Sequence, residues 1–172
     1  MQLTVERHYP IAVHRLYEIV TSKAFFEQRF AWGKIDNYRF DEFAVDPQRA
    51  LIRIIQPIKI KTEKMPSFAR RLVPASADLT TEFSWRDNVG SLPYIADYRF
   101  VLAGVPLNVE GVMTLTADGS DAASACRQIT QVNISCPVPL VGRKIVSLLA
   151  PKVEEALAGD YRHTLRYVEE FG

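Results

Sequence analysis

Hydrophobic and polar positions change their period twice along this chain. Over residues 2–9, Leu3 and Val5 alternate with Thr4 and Glu6, the period of a strand covered on one face. Ala12, Val13, Leu16, Tyr17, Ile19 and Val20 then fall at helical spacing. Pro10 suits a first helical turn, where its missing N–H costs nothing. Ser22 is a capping residue for a second short helix carrying Phe25, Phe26 and Phe30. From Asn37 the period returns to two and predicts strands at 38–45, 49–62, 78–87, 93–103, 106–117 and 124–135. The breaks are Asp46-Pro47, the Pro66–Pro74 segment, Asn88-Val89-Gly90, Gly104 before Pro106, and Asp118-Gly119. Most of these connections are short, which favours an antiparallel meander.

Alternation also assigns faces. Tyr94, Ala96, Tyr98, Phe100 and Leu102 share one side of their strand and oppose Asp97 and Arg99. Leu79, Thr81, Phe83 and Trp85 oppose Glu82, Ser84 and Arg86, while Val109, Gly111, Met113 and Leu115 oppose Glu110, Thr114 and Thr116. The meander is expected to carry one apolar, aromatic-rich face and one polar face. Arg53 breaks the rule by sharing a phase with Leu51 and Ile55, which a bulge or a buried arginine would each explain.

From Pro139 to Phe171 the chain reads as one long amphipathic helix. Its stripe is Val141, Ile145, Leu148, Leu149, Val153, Ala156, Leu157, Tyr161, Thr164, Leu165 and Val168. About 30 helical residues span roughly 45 Å, so the stripe must lie across a surface built by the rest of the chain. Pro151 inside it predicts a bend or loosened turn. Lys152, Asp160 and His163 fall on or beside the stripe. They are either polar handles facing a cavity or ordinary stripe-edge residues that reach solvent.

Composition narrows the classes. The 172 residues are 48% hydrophobic and 24% charged, with a formal charge of +1, so no global field points to nucleic acid or anionic lipid, and an electrostatic partner would have to be recognised by a local patch. Residues 1–172 are expected to form one domain. With no signal-peptide pattern at the start and no apolar run long enough to span a bilayer, the expected location is cytoplasmic. Cys126 and Cys136 match neither a disulfide framework nor a zinc site. No glycine-rich phosphate loop, nucleophile elbow or metal-ligand spacing is found, so no catalytic residue, metal or cofactor is assigned. Locally, Lys59, Lys61, Lys64, Arg70 and Arg71 stand against Glu63 alone, and Phe68, Ala69, Leu72 and Val73 have helical spacing beside them. That segment is either a solvated basic loop, a gate covering one end of the gap between sheet and helix, or a patch for weak contact with an anionic membrane surface.

The order of strand, two short helices, six-strand meander and long final helix resembles the helix-grip fold of the START and birch-pollen-allergen superfamily (SRPBCC). That is an α+β fold in which a curved antiparallel sheet of about seven strands wraps a long C-terminal helix. Val105-Pro106 and Gly111, with Val138-Pro139-Leu140-Val141-Gly142-Arg143-Lys144 opening the last helix, look like a bacterial START-like family of unknown function. The resemblance implies a cavity for a lipid, sterol or polyketide-like molecule. On this chain it would be walled by Phe83, Trp85, Tyr98, Phe100, Met113, Val153 and Ala156, with Phe68 and Leu72 near the mouth and Lys152 and Asp160 as polar contacts. Non-enzymatic carriage of a hydrophobic ligand is the first expectation. A cyclase-, aromatase- or dehydratase-like enzyme using Tyr98, Lys152, Asp160 or His163, and an interaction module with a packed interior, are the alternatives.

Overall fold

The computed structural model describes residues 1–46, 49–86, 92–119 and 124–172; the predicted Asn88–Gly90 turn lies outside them. The chain begins with β1 (Gln2–Tyr9), α1 (Val13–Val20) and α2 (Lys23–Trp32). It continues through β2 (Arg39–Val45), β3 (Ala50–Lys59), a one-turn α3 (Ser67–Arg70) and β4 (Ser76–Trp85). β5 (Tyr94–Leu102), β6 (Asn108–Ala117), β7 (Cys126–Ser135) and α4 (Gly142–Phe171) complete it. The strands form one antiparallel sheet in the order β1-β7-β6-β5-β4-β3-β2, so β2 to β7 run as a meander and β1 returns beside β7. No helix among the described residues is long and apolar enough to cross a membrane.

Local chemistry explains the boundaries. The Ser22 side chain accepts a hydrogen bond from Phe25 N and opens α2, satisfying an amide that the first turn leaves free. Pro10 sits in the bend before α1, which begins at Val13 after Ala12, so its fixed φ serves the strand-to-helix turn and not the helix itself. β3 is ten residues long and ends at Lys59, shorter than the predicted 49–62. Arg53 is neither buried nor beside a bulge of its own strand. It lies on the outer face, one third exposed, and pairs with Glu82 at 2.7 Å and with Asp41 and Glu42 of β2. The irregular step belongs to β2, between Phe40 and Glu42, and it brings those two acids to the arginine.

Helix α4 is assigned unbroken through Pro151, whose exposed ring faces solvent. Ten of its eleven predicted stripe positions are buried or half-buried. Gly142, Val146, Ala150, Val153, Leu157, Tyr161 and Thr164 are buried or half-buried, whereas Ala156 is exposed. The step along that line averages about 3.7 residues, closer to an 11-residue repeat than to a heptad, so the contact line leaves Ala156 at the edge.

Two apolar cores result. In one, Val146 and Ala150 of α4 sit on Tyr98, Val109, Val132 and Ile134 of the sheet. In the other, α1 and α2 fill the space between the sheet and Val168, with Leu165 and Tyr167 packed against them. The first core explains a glycine in mid-strand. A Cβ on Gly111 would stand 2.2 Å from Gln131 O and 2.6 Å from the Tyr98 ring, so the bare backbone lets Tyr98 lie across its partner residue. Gly111→Ala is expected to lower unfolding free energy by about 1–3 kcal/mol through overpacking, measured by denaturant titration; unchanged stability would refute this account of the glycine.

Candidate functional site

Between the two cores, neither helix nor sheet fills the interior. An outer compartment of about 270 Å³ is bounded by α2, β3, β4, Phe100 of β5 and the 156–163 stretch of α4. A smaller inner one, about 50 Å³, reaches toward β1, β6 and β7. Phe26, Arg29, Phe83 and Asp160 line both and so form the partition. Taken together the compartments sit near the lower end of small-molecule pockets, which run from about 300 to 1,000 Å³.

Helix α2 makes this space by bridging. Phe26 meets Phe83 of the sheet at a ring separation of 6.1 Å, Phe25 meets Tyr167 of α4 at 5.3 Å, and Trp32 approaches His163 and Tyr167 at 6.2 and 6.3 Å. From the same helix Arg29 reaches Asp160 at 2.6 Å, with side chains 20% and 31% exposed. A largely covered ion pair of this kind is costly to leave half-made.

The walls are mostly aromatic and aliphatic, with a few polar groups on the inner side. Trp85 is only 4% exposed, and its indole N–H has no hydrogen-bond partner among the described residues. Arg7 Nε is in the same position, while the Arg7 guanidinium lies 5.0 Å above the Tyr161 ring. Both residues line the inner compartment, beside Gln128, Thr130 and Thr164. Two buried donors without acceptors favour an oxygen-bearing group nearby. Burial pushes the Tyr98 hydroxyl's pKa upward and the charge of Asp160 adds to this, so Tyr98 stays protonated. Burial also raises the Cys126 thiol to about 11, with Asp118 contributing, which removes it as a nucleophile near neutrality.

Of the residues singled out in the sequence, Phe83, Trp85, Phe100, Met113, Ala156 and Asp160 line one or both compartments. Tyr98 and Val153 belong to the packed core beneath the first half of α4. Lys152 is 75% exposed and pairs with Glu155 at 2.7 Å. Phe68 and Leu72 are half-buried in the β3–β4 connection and line neither compartment. Sequence reasoning missed Arg7 and Arg29. Arg7 follows Leu3 and Val5 in the inward phase of β1, a signal that was present; Arg29 sits one residue before the buried Phe30, a position that reads as helix surface. A larger concavity lies elsewhere, about 560 Å³ on the outer face of the sheet, among polar residues such as Thr4, Asp97, Glu110 and Gln131. It is an open polar surface rather than an enclosed space. No group of His, Cys, Asp and Glu able to hold a metal ion occurs among the described residues.

Comparison with known proteins agrees with this architecture. A family model described as a protein of unknown function (DUF2505) matches residues 4–168. No curated protein sequence matches the chain. Among solved structures, an aromatase/cyclase from Streptomyces sp. R1128 aligns with a TM-score of 0.65 at 9% identity, over 98% of this chain and 93% of the other. Norcoclaurine synthase from Thalictrum flavum aligns at 0.60 and 9% identity, over 99% and 87%. A START superfamily protein from Mycobacterium smegmatis aligns at 0.58 and 12% identity, over 99% of both chains. At such identities the likeness is one of fold, and the fold is the helix grip of the START and birch-pollen-allergen superfamily.

His163, on the outer compartment, has its pKa lowered, first by burial and then by the Arg29 charge, with Asp160 opposing. A base held below its unfolded value contributes stability that is present above about pH 6.5 and lost as pH falls toward the folded value. Thermal stability is therefore expected to decline from pH 7 to pH 5, and His163→Gln to flatten that decline; an unaltered slope in the variant would remove His163 from the explanation.

Proposed function

This chain belongs to the DUF2505 family of proteins of unknown function, and we propose that it binds a small, mainly apolar molecule bearing one oxygen-containing end. The observation that carries the reading is the partly enclosed space between sheet and α4, walled by Phe26, Phe30, Phe83 and Phe100 and partitioned by Arg29 and Asp160. Affinity comes from removing apolar ligand surface from water, about 25 cal/mol per Å² before the costs of association. Orientation comes from the indole N–H of Trp85 and from the arginines, which meet an oxygen acceptor. The modest volume favours a compact ring system or a single short chain over a two-chain lipid. Support also comes from the superfamily fold, which in the solved relatives named above serves a START protein, a cyclase and a synthase.

A second reading, proton-transfer catalysis on the same ligand, draws on Asp160, Arg29 and His163 meeting at the outer compartment. The binding reading is preferred because the Asp160 carboxylate is already engaged by the Arg29 guanidinium at 2.6 Å. An interior packed solid, as an interaction module would have, accords less well with the open outer compartment.

Displacement of a fluorescent fatty acid by candidate ligands, alongside native mass spectrometry, tests the binding reading. Ala156→Trp is placed at an exposed edge of the outer compartment. It is expected to weaken probe binding about tenfold, equivalent to about 1.4 kcal/mol, while leaving the melting temperature within a few degrees. A protein that retains no small molecule and binds no apolar probe defeats the reading.

A further inference from the structure

The strand order sends three connections to one end of the sheet: 60–75 between β3 and β4, 103–107 between β5 and β6, and 136–141 between β7 and α4. They adjoin one another, since a Cβ at Gly104 would lie 3.8 Å from Pro74, and Asn108 pairs with Ser135 where the second and third connections leave the sheet. These connections and the three residues flanking each carry Lys59, Lys61, Lys64, Arg70, Arg71, Arg143 and Lys144 against three acids, Glu63, Asp78 and Glu110. All seven cations are exposed, and none forms an ion pair with a described residue. With the whole chain at +1, this end carries +4 and the remainder −3. The molecule is a charge dipole, and its cationic pole is defined by topology rather than by composition.

At the same pole stands Leu140, 100% exposed. Its φ is +67°, in the left-handed region that disfavours a branched aliphatic residue and suits glycine. The chain therefore holds an apolar side chain in water in a backbone conformation unfavourable to it. The turn that holds it is closed by hydrogen bonds from Val141 N to Pro139 O and from Gly142 N to Val138 O, both 2.8 Å, while the side chain itself stays uncovered. Arg143 and Lys144 follow in the first turn of α4, which has no acidic residue and no side-chain cap; cations there oppose the helix dipole.

We propose that this pole docks on an anionic lipid bilayer, with Leu140 entering the boundary between headgroups and acyl chains and the seven cations lying over the headgroups. From β4 to β7 is three strand spacings, about 15 Å, so the charge is spread across several headgroups rather than focused on one. A single protruding leucine amid diffuse positive charge suits a deformable, laterally mobile anionic surface. A folded acidic protein would call for a flat apolar patch or groove of fixed shape. The proposal is independent of whether the interior holds a ligand.

Sedimentation with vesicles tests it directly, using phosphatidylcholine alone and phosphatidylcholine mixed with phosphatidylserine. The native protein is expected to bind the mixed vesicles, release them at high salt, and ignore the neutral ones. Leu140→Gly is expected to weaken binding about tenfold, the effect of losing one partly inserted leucine, without lowering the melting temperature, because glycine relaxes the backbone there. Arg70→Glu with Arg71→Glu, and separately Arg143→Glu with Lys144→Glu, are each expected to lower it by at least about tenfold. The proposal is overturned if the native protein stays in the supernatant, binds neutral vesicles equally, or binds as before with Leu140→Gly. It is equally overturned if an acidic protein or a nucleic acid is bound while vesicles are not.

Discussion

The structure depends on one constraint: the final helix rests on the sheet near its start and on α2 toward its end. Toward its start, Val146 and Ala150 rest directly on Tyr98 and Ile134, and the small side chain at Ala150 allows close approach. Toward its end, Val168 and Tyr167 meet the aromatic residues of α2 instead of the sheet. The helix is thus close to the strands at one end and separated from them by another helix at the other. The space between them follows from that difference in thickness, as a gap follows from a wedge. It requires no special cavity-forming residue, only two cores of unequal depth sharing one rigid rod.

This arrangement also explains why polar chemistry collects where it does. In the middle of α4 neither core supplies enough apolar contact, and Asp160 and His163 occupy that stretch. Arg29 arrives from α2 because a helix wedged between two layers presents one side to each, and the side toward α4 meets the carboxylate. On the opposite side of the sheet, Arg53 and Arg86 pair with acids of neighbouring strands. Those exposed pairs contribute little to stability individually, but they keep the outer surface polar and the two faces chemically distinct.

Much of this was legible in the sequence. The seven strands, the capping serine and the long final helix follow from period, punctuation and capping chemistry, which act over a few residues. The inward aromatics Phe83, Trp85 and Phe100 follow from the same alternation. What was not legible needed distances between elements. Arg29 looks like helix surface until α4 is laid against it. Lys152 looks like a stripe residue until the contact line is seen to advance by about 3.7 residues per step, which carries it into solvent. Phe68 and Leu72 have the right spacing for a lid, yet the connection that holds them lies at the end of the sheet, away from the compartments. The second, charged pole was half visible, since the lysines of the β3–β4 connection stand together in the chain while Arg143 and Lys144 join them only through topology.

If the proposed binding function holds, the Arg29–Asp160 contact has a consequence for selectivity. It stands between a roomier antechamber and a recess scarcely larger than a water molecule or two. A guest that stops short leaves the bridge closed and is sorted by shape alone. One that extends a carbonyl or carboxylate past it must draw the guanidinium away from its partner and compensate the abandoned carboxylate. On the binding function proposed above, discrimination by size and discrimination by polarity would be carried out in sequence, at a single doorway, by two side chains borrowed from different helices.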